Sequence, residues 1–118
     1  MFANTLAALR KDLDGVRAVL LASMDGMVVA MDTADDQLAP DAVAAAFADL
    51  HRKMRAAHQD AGLGDPQEWT ADGALGRIAV RAVTPDYLLV ALLAGHATMG
   101  RVRFELRKAA VRLEPELV

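Results

Sequence analysis

A chain of 118 residues falls in the size range of a single domain and is long enough to bury a core without disulfides or metals. Its 54% hydrophobic content excludes a disordered chain, and its lack of cysteine excludes disulfides, thiolate catalysis and cysteine-ligated zinc. The net charge of −3 argues against nucleic-acid binding. The sequence has neither a signal sequence nor a run of roughly 18 apolar residues that could form a membrane helix. We therefore expect one cytoplasmic domain over residues 1–118 without membrane insertion.

The first predicted element is a helix over residues 4 to 14. Asn4 would cap its start, and Gly15 would close its end. The apolar side of this helix consists of three leucines at helical spacing, namely Leu6, Leu9 and Leu13. We expect this side to pack on a sheet.

Two apolar runs, Val16 to Ala22 and Met27 to Met31, flank the dipeptide Asp25-Gly26. Because a type I′ turn needs positive φ at both central residues, this dipeptide predicts a tight hairpin. On the first strand, alternation would place one set of side chains on one face and a second set on the other: Val16, Ala18, Leu20 and Ala22, opposite Val19 and Leu21. Both faces are apolar, so helices must cover the sheet on both sides.

The second predicted helix runs from about Pro40 to Ala61, with proline in its first turn and Gly62 after its end. Apolar residues at three- and four-residue steps form a stripe that we expect to face the sheet: Val43, Phe47, Leu50, Met54, Ala57 and Ala61. Five further alanines lie off this stripe and would form a smooth flank: Ala42, Ala44, Ala45, Ala46 and Ala48.

The second half of the chain is typical of a strand meander followed by a helix. A short strand over residues 67 to 71 precedes longer strands over 77 to 83 and 87 to 93, the last of which is apolar on both faces and is expected to be central. Thr98 would cap a final helix that Pro115 ends.

The residues that could support catalysis do not form a recognisable set. Ser23 has no Gly-x-Ser-x-Gly context and is expected to serve a turn. Two of the three histidines, His51 and His58, are seven residues apart on one helix, roughly 10 Å along its axis at about 1.5 Å per residue, so they cannot share a metal. We expect these two, and His96, to be solvated or boundary residues.

Cofactor-binding patterns are also absent from the sequence. Asp32, Asp35 and Asp36 lack the alternating ligands of a calcium loop and are interpreted as a solvated acidic loop before a helix. The glycines form no phosphate-binding loop that ends in Lys-Ser or Lys-Thr. We therefore predict no cofactor and no enzyme activity of the chain's own.

The final helix carries the densest basic set of the chain: Arg101, Arg103, Arg107, Lys108 and Arg112. One interpretation is a solvated surface in which Glu105 is interleaved with the cations. The other is an arginine offered to a partner protein, where it would stabilise the charge on a transferring phosphoryl group.

The chain resembles the Roadblock domain family, which includes the dynein light chain Roadblock and the bacterial gliding-motility protein MglB. The resemblance lies in the SMDGMVVA hairpin, the alanine-rich second helix and the closing segment YLLVALLAGHATMGRVRFELRKAAVRL. It covers the chain from Leu6 to Leu113, and GLGDPQEWTADGALG is a shorter, less β-rich third-strand region than the family pattern.

The resemblance implies an α+β fold with the order α-β-β-α-β-β-β-α. Its five-stranded antiparallel sheet would have the strand order 2-1-5-4-3, with the second helix on one face and the two terminal helices on the other. It also implies a homodimer, or a dimer with another Roadblock-type chain, in which third strands pair and second helices meet. The candidate interface residues for the dimer or another partner are Ala42, Ala45, Ala46, Asp49, Lys53 and Trp69.

These residues also have explanations that involve no partner. The alanines have high helix propensity, which alone explains their number. Trp69 either contacts a partner or covers the local core.

As a function, the resemblance implies a non-catalytic regulator or scaffold that binds a small Ras-like GTPase and modulates its GTP hydrolysis or its localisation. The alternatives are a small sensory or ligand-binding module and a pure scaffold subunit that leaves turnover unchanged.

Overall fold

The computed structural model describes residues 2–117. Within this range the helices and strands follow the predicted order, and a short 3-10 helix, Glu114–Leu117, comes last. The bounds of the main elements are α1 Phe2–Asp12, β1 Val16–Ser23, β2 Val28–Thr33, α2 Pro40–Asp60, β3 Glu68–Asp72, β4 Arg77–Thr84, β5 Tyr87–Leu93 and α3 Met99–Leu113.

The five strands form one antiparallel sheet in the order β2-β1-β5-β4-β3. Strand β5, the most apolar segment, lies at the centre and pairs with β1 on one side and with β4 on the other. The edges are β2 and β3. The predicted strand order is therefore confirmed.

Helices cover both faces of the sheet, as two apolar faces require. On one face α1 and α3 bury a large core that includes Leu6, Leu9, Val19, Leu21, Leu89, Val102, Leu106 and Leu113. On the other face α2 covers a smaller core that includes Ala18, Leu20, Ala44, Ala48, Val80, Leu88 and Val90. The predicted placement of the helices is confirmed.

The predicted alternation along β1 is wrong at its first residue. The pairing with β5 shifts between Val16 and Ala18, so Arg17 is an extra residue in a β-bulge. Val16 consequently joins Val19 and Leu21 on the α1 and α3 side, whereas Ala18 lies on the α2 side.

The β1–β2 turn also differs from the predicted type I′ geometry. Gly26 has a φ of 91°, whereas no non-glycine residue among residues 2–117, Asp25 included, has a positive φ. The Gly26 amide donates to the Ser23 carbonyl at 2.9 Å, and the Ser23 amide donates to the Met27 carbonyl at 2.8 Å. A tight turn followed by a left-handed glycine is the usual solution for a slightly longer hairpin loop.

Two helix starts differ from prediction. Helix α1 already includes Phe2, so Asn4 lies inside the helix and does not cap it. Thr98 occupies the N-cap of α3, but its side chain makes no capping hydrogen bond. Gly15 has a φ of 87°, and a Cβ there would lie 2.8 Å from the Ala97 Cβ, so only glycine fits between α1 and β1.

Helix α2 is rotated relative to the predicted orientation. The side chains that it buries are those of Ala44, Ala48 and His51, whereas Leu50 of the predicted core stripe is 42% exposed. At about 100° of rotation per residue, the predicted stripe points roughly 100° away from the buried line. The expectation that this stripe faces the sheet holds for Val43 and Phe47, which pack partly buried against the α2-side core. It is wrong for Leu50, Ala57 and Ala61, which are exposed, because the row of Ala44, Ala48 and His51 is the one turned to the sheet.

Candidate protein–protein interface

Strand β3 is an open edge of the sheet, since within the described residues it pairs with β4 alone. Two backbone hydrogen bonds determine which backbone groups of β3 face away from β4. The Ala82 amide donates to the Gln67 carbonyl at 2.9 Å, and the Gly73 amide donates to the Gly76 carbonyl at 2.7 Å. Hydrogen-bonded pairs alternate along an antiparallel ladder, so Thr70, which lies opposite Ala79, directs its N–H and C=O away from β4. A second strand could pair with this edge.

Trp69 holds β3 against α2. Its ring lies 6.1 Å from the Phe47 ring, centroid to centroid, at a tilted angle of 44°. Its indole Nε1 donates a hydrogen bond to Nδ1 of His51 at 3.2 Å. Trp69 itself is only partly buried, so it both covers the local core and reaches the surface beside the edge.

His51 is fully buried, which corrects the expectation of a solvated or boundary residue. Because its Nδ1 accepts from Trp69, the neutral ring carries its proton on Nε2, and that buried atom has no partner among the described residues. Burial, with a smaller contribution from Arg55, lowers the pKa of His51, while Asp65 acts in the opposite direction. His58 is half-buried, and His96 is exposed.

Glu68 fixes the other face of β3. One of its carboxylate oxygens accepts from Arg103 at 3.0 Å and from Arg107 at 3.1 Å, both on α3. The hydrogen bond from Arg103 is the main cause that lowers the pKa of Glu68, and Arg107 adds to it against the effect of burial. Consecutive residues thus tie the edge strand to α3 and to α2, while its outer backbone groups stay free.

A partly exposed apolar stripe on α2 lies on the same side as β3. Phe47 contacts Trp69, and by helical spacing Leu50 and Met54 continue along that side. We call these three residues together with Trp69 the lateral stripe. The lateral stripe meets the β3 edge at the Phe47–Trp69 contact, so its apolar side chains begin beside backbone groups of β3 that have no partner among residues 2–117.

Leu50 and Met54 were expected in the core as members of the α2 stripe, so their position at the surface was not predicted. The feature of the sequence that could have indicated their exposure is the width of the apolar face of α2, which is too wide to be buried by the sheet alone. It contains two neighbouring apolar rows, and the row with the smaller side chains is the buried one.

The predicted interface residues of α2 occupy its outward side. Ala42, Ala45 and Ala46 are exposed. Lys53 pairs with Asp49 at 3.0 Å, which lowers the pKa of Asp49. These five residues, which we call the outward face, lie away from Trp69, and Ala45 packs against the β1–β2 turn, where a Cβ on Gly26 would lie 3.0 Å from the Ala45 Cα.

The polar groups considered for catalysis or metal binding have structural roles. Ser23 donates to Asp25 within the turn and accepts from the Met27 amide at 3.1 Å. Asp35 pairs with Arg17 at 2.7 Å, so the acidic loop is partly ion-paired and not simply solvated. Among residues 2–117, no group of three or more His, Cys, Asp or Glu side chains could hold a metal ion.

An open cleft of about 450 Å³ lies between Phe47 of α2 and the β3–β4 hairpin. Ile78 and Leu92 contribute apolar side chains to its lining, and Arg17 and Arg77 contribute charged ones.

In the part of the chain that the structure describes, no helix combines the length and apolar character needed to cross a bilayer.

The family comparison agrees with this architecture. The family model of the Roadblock/LC7 domain matches residues 2–93. A search of curated protein sequences finds no significant match. The chain belongs to the Roadblock/LC7 domain family.

Solved structures share the fold at low sequence identity. MglB of Myxococcus xanthus is 18% identical, with a TM-score of 0.92, and the match covers 98% of this chain and 94% of that one. A Roadblock/LC7 domain of Streptomyces avermitilis is 19% identical, with a TM-score of 0.89, and the match covers 96% and 94% of the two chains. An MglB described as having a tetrameric arrangement is 23% identical, with a TM-score of 0.88, and the match covers 95% of this chain and 84% of that one.

Proposed function

We propose that this chain is a non-catalytic homodimeric regulator or scaffold that binds a small Ras-like GTPase and modulates its GTP hydrolysis or its localisation in the cytoplasm. Membership in the Roadblock/LC7 family and the fold shared with MglB support this class of function. The observation that carries the proposal is the open β3 edge beside the lateral stripe.

The dimer would form by pairing of two β3 strands around a two-fold axis near Thr70. Such an isologous contact satisfies the outward backbone groups of both strands and brings the two lateral stripes together. The energetic motive lies in α2, a helix of 21 residues that fully buries two alanines and one histidine in its own chain and packs Val43 and Phe47 only partly buried against the core. A second copy would bury the part of Leu50 that is still exposed, 42% of the residue, which contributes somewhat less than half of the roughly 1.5–3 kcal/mol expected for burying a fully exposed large apolar side chain.

The GTPase would bind to the outward face of α2, where small side chains allow the close approach of a partner element. In the dimer the outward faces of both copies lie on the same side of the extended sheet. Regulation then requires tighter binding to the hydrolysis-competent arrangement of the GTPase than to its other states. The chain would order the partner's own water-positioning residue and switch loops, without supplying a catalytic group itself.

The test combines two measurements on a Ras-like GTPase from the same genome. The GTPase whose gene lies nearest to the gene of this chain is the first choice. We expect size-exclusion chromatography to show a complex with the GTP-analogue form and a weaker one with the GDP form. We also expect phosphate release to accelerate when the chain is added. The Ala46→Arg variant should lose the complex while it remains a dimer.

Other outcomes assign the chain to another class. Binding of both nucleotide forms with unchanged hydrolysis would identify a pure scaffold. No GTPase complex, together with saturable binding of a small molecule in the cleft, would identify a ligand-binding module. A stable complex with another Roadblock-type chain in place of self-association would replace the homodimer by a heterodimer.

A further inference from the structure

The outer side of α3 is a second surface, on the opposite face of the sheet from α2 and joined to β3 by the Arg103 and Arg107 contacts to Glu68. The buried side of this helix contacts the sheet through Val102, Leu106 and Leu113. On the opposite side Phe104 is 54% exposed and Val111 is 68% exposed. Exposed large apolar side chains in a row on one helix indicate a contact surface more often than single scattered ones do.

Charge is concentrated on the same side. Three of the five basic residues of α3, namely Arg103, Arg107 and Lys108, lie beside Phe104 and Val111, although the whole chain has a net charge of −3. Arg103 and Arg107 share the single carboxylate of Glu68, and Lys108 lies 3.7 Å from Glu105, so these pairs leave an excess of positive charge on this side. Lys108 lies 5.4 Å from the centroid of the Phe104 ring, so a cation flanks the exposed aromatic group. Arginine and aromatic residues are enriched at protein interfaces, where planar guanidinium groups pair with carboxylates in a bidentate manner.

The spacing of these residues matches a helix–helix seam. Gly100, Phe104, Arg107 and Val111 follow one another at steps of four, three and four, which are the core positions of a heptad pattern. In that pattern Arg103 and Lys108 occupy the flanking positions that form ion pairs with a second helix. The small Gly100 would allow a second helix to approach closely at one end.

We propose that the outer side of α3 binds an amphipathic helix of another protein, in which acidic residues flank an apolar row. Charge complementarity selects this occupant. A second copy of the chain would place two basic sides against each other, and like charges in contact are repulsive. An anionic membrane fits less well, since only two apolar side chains are exposed on this side and the chain as a whole is acidic.

The test uses the full chain and a synthetic helix of 21 residues, three heptads long, with Leu at the two core positions and Glu at the flanking positions. Glutamate at the flanks keeps this peptide from pairing with itself. Fluorescence anisotropy at low salt should show saturable binding that weakens as salt is added. A peptide with Lys in place of Glu should not bind.

Variants locate the contact. Phe104→Ser should weaken binding of the acidic peptide at least tenfold. Lys108→Glu should also weaken binding, and its effect should be larger at low salt than at high salt. Leu75→Ser, at a leucine that is 95% exposed on the β3–β4 turn, is the matched control and should bind as the wild type does. Circular dichroism of each variant confirms that the fold is kept.

Three results would overturn the proposal. They are equal binding of the Glu and Lys peptides, binding that Phe104→Ser leaves unchanged, and no peptide binding by the wild type. Sedimentation with vesicles of phosphatidylcholine and phosphatidylserine separates the remaining source of negative charge. Vesicle binding that depends on Phe104 without peptide binding would assign this side of α3 to a membrane surface instead.

Discussion

Two adjacent residues determine how the edge strand is held. Glu68 and Trp69 point to opposite faces of the sheet because side chains alternate along a strand. Glu68 pairs with two arginines of α3, and Trp69 donates to His51 of α2. The five-residue strand β3 is thereby fixed to both helical layers, even though only one side of its backbone is paired.

The buried His51 makes stability depend on pH. Burial favours the neutral imidazole, so the pKa of His51 in the folded chain lies below its ordinary value of about 6.5. The unfolded chain therefore binds a proton first as pH falls, and stability that is fully present above about pH 6.5 is lost between the unfolded and the folded pKa. A protonated ring would also carry a hydrogen on Nδ1, where Trp69 now donates.

We predict that the free energy of unfolding, measured by urea denaturation, falls as the pH is lowered from about 7 to 5. The contribution of His51 should disappear in His51→Leu, which flattens the profile in this window. His96→Gln is the control, since His96 is exposed and its removal should leave the slope as in the wild type. A slope that His51→Leu does not change would assign the acid sensitivity to other groups.

At the level of elements, the order of helices and strands and the topology of the sheet follow from local signals. Glycine and aspartate mark the turns, and apolar runs mark the central strands. The β-bulge at Arg17 could not be predicted, because one extra residue in a ladder leaves no mark in the composition. This bulge determines on which face Val16 lies.

The rotation of α2 escaped prediction for a different reason. The helix has two neighbouring apolar rows, and the sequence favours the row with the larger side chains as the buried one. In the fold the alanine row packs on the sheet, Phe47 packs at the border of the core, and Leu50 and Met54 are left at the side. A single chain cannot reveal what covers that side, so the candidate interface was only partly predictable.

Leu50 provides the test of the lateral stripe. We predict that Leu50→Asp shifts the chain from dimer to monomer, because a carboxylate would be buried at the two-fold contact without a partner. The fold should persist, since Leu50 is already 42% exposed in the single chain. Sedimentation velocity measures the shift.

Met27→Asp is the matched control for this variant. Met27 is 67% exposed and lies in the β1–β2 turn, at the opposite end of the strand order from β3. The Met27→Asp variant should leave the dimer intact. If both variants, or neither, changed the mass, the lateral stripe would not be the contact.

At the level of the whole molecule, the two faces of the sheet differ in character. The α1 and α3 side holds the larger core and a basic outer surface, whereas the α2 side holds a smaller core and the candidate dimer and GTPase surfaces. Pairing of two β3 edges would extend the sheet to about ten strands, which stays within the usual range for a single sheet. The dimer would then present the two α2 helices on one side of the sheet, and the basic outer sides of the two α3 helices would face away from it on the other.

The most direct test of the account is the mass of the chain in solution, measured by sedimentation velocity at micromolar concentration, for the wild type, Thr70→Pro and Thr70→Val. Thr70 directs its N–H to the open edge, so proline removes a contact to the second copy without removing one to β4. Valine keeps that N–H. We predict particles of twice 12.6 kDa for the wild type and Thr70→Val, and of 12.6 kDa for a folded Thr70→Pro. A wild-type particle of 12.6 kDa, or a Thr70→Pro dimer as stable as the wild type, would contradict the account.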